Sequence, residues 1–225
     1  MQKITIKEII DFRRKSQKSR QTFIKNLSKE KEKVTTEPGG DYWISAISSI
    51  SRAFKNKNRM EITDKIDGLL QDIENTEYKR TKLMYQRNAD ILYNFEDYDF
   101  SSLRTGHEIS FLKKPEMLSI IDILKLPVKI NPHHVYTFEQ EGVKYIGGLW
   151  ITCKLGGYTY QELASFTEGL YKYLSKHYSQ EYKISTEYCI ALDASSGNKV
   201  SYSEIEQGAY VPILASTIEL IKEVI

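Results

Sequence analysis

Residues 143–178 read VKYIGGLWITCKLGGYTYQELASFTEGLYKYLSKHY, and their periodicity changes once, at KLGGY. Before that point, 143–155 is an apolar run rich in β-branched and aromatic residues, the signature of a buried strand. After it, Leu163, Phe166, Leu170, Tyr173, Leu174 and Tyr178 recur at helical spacing, which predicts an amphipathic helix over 159–178. Working outward, 127–139 reads as a partner strand joined through the short turn 140–142, where Gly142 supplies positive φ. Downstream, 184–193 is an apolar strand, SSGN (195–198) a turn, and 200–205 a further strand. Pro212 opens a last helix to the end of the chain. Upstream, 115–124 reads as a short helix. The C-terminal part is thus α-β-β-α-β-β-α, a small, mostly antiparallel sheet flanked by helices.

The first 95 residues have no strand pattern. Residues 4–27 read as one helix, interrupted in its apolar stripe by RRKSQKSRQ (13–21), which has almost nothing to bury. SKEKEKVTTEPGGD (28–41) is charged and breaker-rich, a candidate mobile loop. Asp41 reads as the N-cap of a second helix with Trp43, Ile44, Ile47, Ile50 and Phe54 on one side, and Thr63 or Asp64 as the cap of a third. A fourth helix covers 77–95. NFEDYDFSSLRTGHE (94–108) reads as an acidic, aromatic linker. The expected fold class is therefore α+β: an N-terminal helical segment over 1–95, then the sheet and its helices over 96–225, packed separately or as one domain.

Charge divides along the same line. Residues 1–92 hold 20 Lys and Arg against 13 Asp and Glu, whereas the remainder is net acidic, although the whole chain is only +2. Such asymmetry points to an acidic partner for the basic half, either nucleic acid (DNA or RNA) or an acidic protein surface. Arg13, Arg14, Lys15, Lys18, Arg20 and Lys25 form the densest cluster. On a continuous helix, positions 14, 18 and 25 share a face that meets successive phosphates. Lys55, Lys57, Arg59, Lys79, Arg80, Lys82 and Arg87 extend the patch if the helices pack suitably. The alternative is a solvated basic face. No helix-turn-helix, zinc-finger or RNP pattern is present.

An enzymatic alternative comes from element order. Helix, two long strands, helix and strand resembles the core of the PD-(D/E)XK nuclease superfamily, which places a carboxylate on one strand and Glu-x-Lys on the next. That resemblance implies a Mg²⁺-dependent centre at Glu139 and Lys154, with Mg²⁺ its cofactor. Thr152 stands where the second carboxylate belongs, so Glu162 or Glu168 would have to replace it. Without this centre, no cofactor or metal is implied.

Other features read as structural. His133 and His134 are adjacent on a strand and point to opposite faces. Gly156-Gly157 precedes a helix but lacks the remaining residues of a phosphate-binding loop, and Ser195-Ser196-Gly197 lacks a nucleophile-elbow context. Cys153 and Cys189, the only cysteines, read as buried reduced thiols. The sixteen tyrosines read mostly as core-edge residues. The charged start and the lack of a long apolar run suggest a cytoplasmic protein without a membrane span. Nothing in the sequence fixes the oligomeric state.

Overall fold

The computed structural model describes residues 3–27, 42–113 and 119–224. The chain runs β1 (Ile4–Thr5), α1 (Ile6–Arg13), α2 (Gln17–Leu27), α3 (Ile44–Asn56), α4 (Met60–Asn75), α5 (Lys79–Tyr93) and a 3-10 turn (Phe100–Leu103). It continues β2 (Ser110–Phe111), β3 (Ile120–Ile123), β4 (Leu126–Lys129), β5 (His134–Gln140), β6 (Val143–Thr152), α6 (Tyr160–Tyr178), β7 (Lys183–Asp193), β8 (Lys199–Ser201), α7 (Tyr202–Glu206) and α8 (Leu214–Val224). The class is α+β, with helices preceding the main sheet.

That sheet has the order β2-β5-β6-β7-β8. All its pairs are antiparallel except β6 and β7, which run parallel and are joined by α6. The β5–β6 hairpin turns at Glu141 and Gly142, both with positive φ, a turn whose twist matches the strands it joins. Thr159 and Glu162 form a reciprocal capping box that starts α6. Pairing between β6 and β7 shifts register between Ile146 and Gly148. A Cβ on Gly147 would lie 2.6 Å from the Tyr188 carbonyl oxygen, so the close approach requires glycine there.

Beyond this shift, β6 alternates cleanly. Trp150 packs with α1, α6 and α8 residues into one core. Leu149, Ile151 and Cys153 pack with α3, α4 and α5 residues into another. The sheet therefore lies between two helical layers. β1 pairs in parallel with β4 and, with β3, forms a second, three-stranded sheet. The N-terminal strand and helix thus pack with elements beyond residue 95, while α3–α5 cover the opposite face.

Several expectations need correction. Residues 4–27 are not one helix. Thr5 and Glu8 form a capping box that starts α1, and α1 ends where Arg20 folds back to donate to the Phe12 carbonyl at 3.2 Å and the Arg13 carbonyl at 2.7 Å. Those bonds satisfy carbonyls left open at the helix end. α4 starts at Met60, not after Thr63, because the Asn58 side chain accepts from the Met60 amide. Residues 120–129 form a hairpin, not part of a helix and part of a long strand, turning at Leu124 and Lys125 with positive φ. β8 stops at Ser201, whose capping box with Glu204 starts α7. Segment 94–108 is not a free linker, since Phe95 and Leu103 are fully buried. The loop 28–41, with Asp41, and residues 115–118 lie outside the described residues. At α3, Asn88 of α5 accepts from the Ala46 amide.

Candidate functional site

The carboxyl end of a parallel strand pair, where the crossover helix begins, is where open α/β sheets most often place ligands. Here β6 ends at Thr152, and a cleft of about 490 Å³ opens beside it. Its polar lining includes Thr5 and Lys7 from the β1–α1 start, Lys129 from β4, and His133. Ile44, Ile47 and Ser48 of α3 close the other side. Among the described residues, none that lines the cleft is a carboxylate. Neither Lys7 nor Lys129 forms an ion pair among the described residues. Trp150 and Phe166, 5.3 Å apart edge to face, form an apolar part of the lining.

A polar cluster adjoins the cleft. Asp11 lies one helical turn beyond Lys7 on α1 and pairs with Lys154. Arg14 donates from Nε and Nη2 to the two carboxylate oxygens of Glu162, the Nε contact being 2.6 Å, and its guanidinium lies 5.8 Å from the Tyr158 ring centroid. Burial works against charge on Glu162, but the Arg14 hydrogen bonds and the Thr159 amide outweigh it and hold the carboxyl below its ordinary value. Asp193, fully buried, accepts from the Tyr158 amide, the Ser195 amide and hydroxyl, and the Ser196 hydroxyl. Each carboxylate of this cluster is therefore already engaged. Tyr158 packs edge-on against Phe166, 5.2 Å away, and burial, outweighing a side-chain interaction with Thr152, pushes its phenol up.

The expected site residues distribute as follows. Arg13 donates to the hydroxyls of Ser216 and Thr217. Arg14 is held by Glu162, and Arg20 by the end of α1. Lys15 lies over the Phe23 ring at 5.7 Å. Lys18 and Lys25 are exposed on α2. The break at residues 14–16 separates these charges onto two helices, so they form no single row. Arg87 is likewise engaged, donating to the Tyr42 hydroxyl.

Glu139 and Lys154 do not meet. Glu139 pairs in register with Lys144, near the hairpin turn. Lys154 lies ten residues further along, about 33 Å at strand rise. Glu139 instead borders a shallow pocket with His107, Glu108 and Lys144. Glu168 pairs with Lys172. Among the described residues, no group of three His, Cys, Asp or Glu is placed to hold a metal ion.

The two histidines have different partners, and only His134 lies on β5. His133 lines the cleft and accepts from the Ile151 amide at 3.1 Å, whereas His134 contacts the Ser51 hydroxyl at 2.8 Å on the α3 side. Gly156 and Gly157 are a tight turn with positive φ, and Cys153 and Cys189 form no disulfide. Lys7, Asp11, Lys129 and Tyr158 were not among the expected residues. The spacing Lys7, Asp11, Arg14 along α1 was the one local signal. No helix among the described residues is long and apolar enough to cross a membrane. Comparison with protein-family models, curated proteins and solved structures finds no match to this chain.

Proposed function

We propose that this chain is a non-enzymatic nucleic-acid-binding protein whose phosphate contacts lie in the cleft at the end of β6. The observation that carries the reading is a concave site that, among the described residues, holds two lysines outside any ion pair and no carboxylate. Phosphate neutralisation by Lys releases counterions, and this release supplies sequence-tolerant affinity. His133, Thr5 and Thr152 add hydrogen-bonding groups around the same space. Metal-dependent hydrolysis needs carboxylates converging on the reacting phosphate. Here the expected pair is split between opposite ends of β6, and the nearer carboxylates are bound to Lys154, Arg14 or backbone amides.

The test is binding of fluorescein-labelled single- and double-stranded DNA and RNA at 50 mM salt, with Mg²⁺ in half the samples. Binding that weakens steeply with salt, with the probe left intact, is the expected result. Mg²⁺-dependent shortening would overturn the non-enzymatic reading. Absence of binding to every probe would overturn the nucleic-acid reading and leave an acidic protein surface as the partner class.

A further inference from the structure

A second cleft, of about 630 Å³, lies at the far end of α3, between the start of α4 and the 3-10 turn. Its lining includes Phe54, Lys57, Arg59, Phe100, Arg104 and His107. Its only carboxylate among the described residues, Asp99, accepts from the Ser101 amide at 3.0 Å and hydroxyl at 2.6 Å. Arg104 donates to the Phe54 carbonyl and lies over the rings of Phe54 and Phe111, at 5.2 and 5.9 Å. Burial lowers its affinity for a proton, but a guanidinium stays charged. Lys57 and Arg59 are exposed and form no ion pair among the described residues. This is a second cationic cavity, and in it a guanidinium lies directly over aromatic rings. His107 is exposed and lies parallel to Phe138, with 5° between the ring planes.

The two clefts are joined along one helix. Ser48 borders the first, and Lys57 follows α3 at the second. Nine residues of helical rise separate them, about 14 Å. Between them Ser51 touches His134 and Lys55 lies 5.8 Å from the Phe111 ring. Positions 48, 51 and 55 share a helix face. At about 3.4 Å per stacked nucleotide, the span matches roughly four nucleotides of one strand.

Resting on the reading of the first cleft as a phosphate site, we propose that the second cleft takes an unpaired nucleotide. Lys57 and Arg59 hold its phosphate, and the base stacks on the exposed His107 ring or the half-buried Phe100 ring. The ligand is then single-stranded nucleic acid. A duplex keeps its bases stacked inside and has none to place in a cavity of this kind, whereas an unpaired base stacks on any ring.

The test measures binding of a 12-nucleotide oligothymidine and a 12-base-pair duplex by anisotropy, with thymidine monophosphate as competitor. The proteins are the full chain, the Lys57→Gln/Arg59→Gln variant and the Lys7→Gln/Lys129→Gln variant. The full chain should prefer the single strand about tenfold. Lys57→Gln/Arg59→Gln should abolish that preference and leave duplex binding within twofold. Photocrosslinking of an iodouracil-substituted strand should label the peptide holding residues 99–107. Equal binding of strand and duplex, or an unchanged preference in Lys57→Gln/Arg59→Gln, would overturn the inference. If Lys7→Gln/Lys129→Gln still weakens both probes in that case, the first cleft stands. Competition by the free mononucleotide at equal nucleotide concentration would overturn the strand as its source. Loss of all binding by the full chain would remove both readings.

Discussion

Replacing Glu162 by Gln isolates the clip that holds α1 against the β6–α6 turn. The carboxylate side chain is 8% exposed, the Arg14 side chain 36%. It accepts two Arg14 bonds and one from the Thr159 amide. An exposed pair contributes about 0.2–1 kcal/mol, and breaking a fully buried one costs about 3–5 kcal/mol. This pair lies between, and its bidentate geometry places it toward the stronger side. Glutamine keeps the shape but turns an NH₂ toward either the guanidinium or the Thr159 amide. We expect a loss of about 2 kcal/mol, or about 4–8 °C in Tm for a chain of this size. The pH dependence has a defined sign. Because the folded-state pKa of Glu162 is depressed, its contribution is complete above the unfolded value of about 4.3 and disappears as pH falls through the folded value. The gap between wild type and Glu162→Gln should therefore be full at pH 7 and close on acidification toward pH 3. Urea unfolding at the two pH values, together with Arg14→Met and the double variant, measures both the gap and the coupling. A loss under about 0.5 kcal/mol at pH 7, or a gap at pH 3 no smaller than at pH 7, contradicts this assignment.

Three further perturbations test the frame around the site. A Cβ at Gly169 would lie 2.3 Å from Ile6 Cδ1 and 3.1 Å from Ile130 Cδ1, both in the core; Gly169→Ala should destabilise despite its gain of about 1 kcal/mol in helix propensity, and Ile6→Val in the same chain should recover part of the loss in a double-mutant cycle. Asn88 is buried, accepts from the Ala46 amide and donates to the Tyr42 and Met84 carbonyls. Asn88→Ala leaves these groups unpaired and should cost about 2–3 kcal/mol, with faster hydrogen exchange at Ala46. Burial pushes the Cys189 thiol well up, so a thiol reagent should label it only at the rate of unfolding, and labelling of the folded chain at the rate of a free thiol would contradict its placement.

What the sequence revealed depended on whether the determinant was local. β6, α6 and β7 were legible because each has ten or more residues of consistent period, and Gly142 marked the hairpin. The α1–α2 break was not, because its cause is a side chain from the next helix, Arg20, closing the end of α1. The β3–β4 hairpin was hidden for a related reason, since Leu124 and Lys125 adopt positive φ without the glycine or asparagine that signals such a turn. The basic cluster was visible as composition, but Arg13, Arg14 and Arg20 are engaged by groups from elsewhere in the fold. Glu162 entered only as a stand-in for a missing carboxylate, and its engagement with Arg14 depends on a pairing 148 residues apart. Asp11–Lys154 spans 143 residues, and Lys7 shares a cleft with Lys129 because β1 pairs with β4. No pattern in one sequence announces either.

The central claim is that phosphate contacts are made in the cleft at the end of β6 rather than along α2. The most direct measurement is the slope of log affinity against log salt for one labelled oligonucleotide. It compares the full chain, Lys7→Gln/Lys129→Gln and Lys18→Gln/Lys25→Gln. Removing the cleft lysines should reduce the slope magnitude by about 1.4 on a single strand or about 1.8 on a duplex, as expected for two lost phosphate contacts, and the α2 pair should leave it nearly unchanged. The reverse pattern, a slope that follows Lys18 and Lys25, would contradict it.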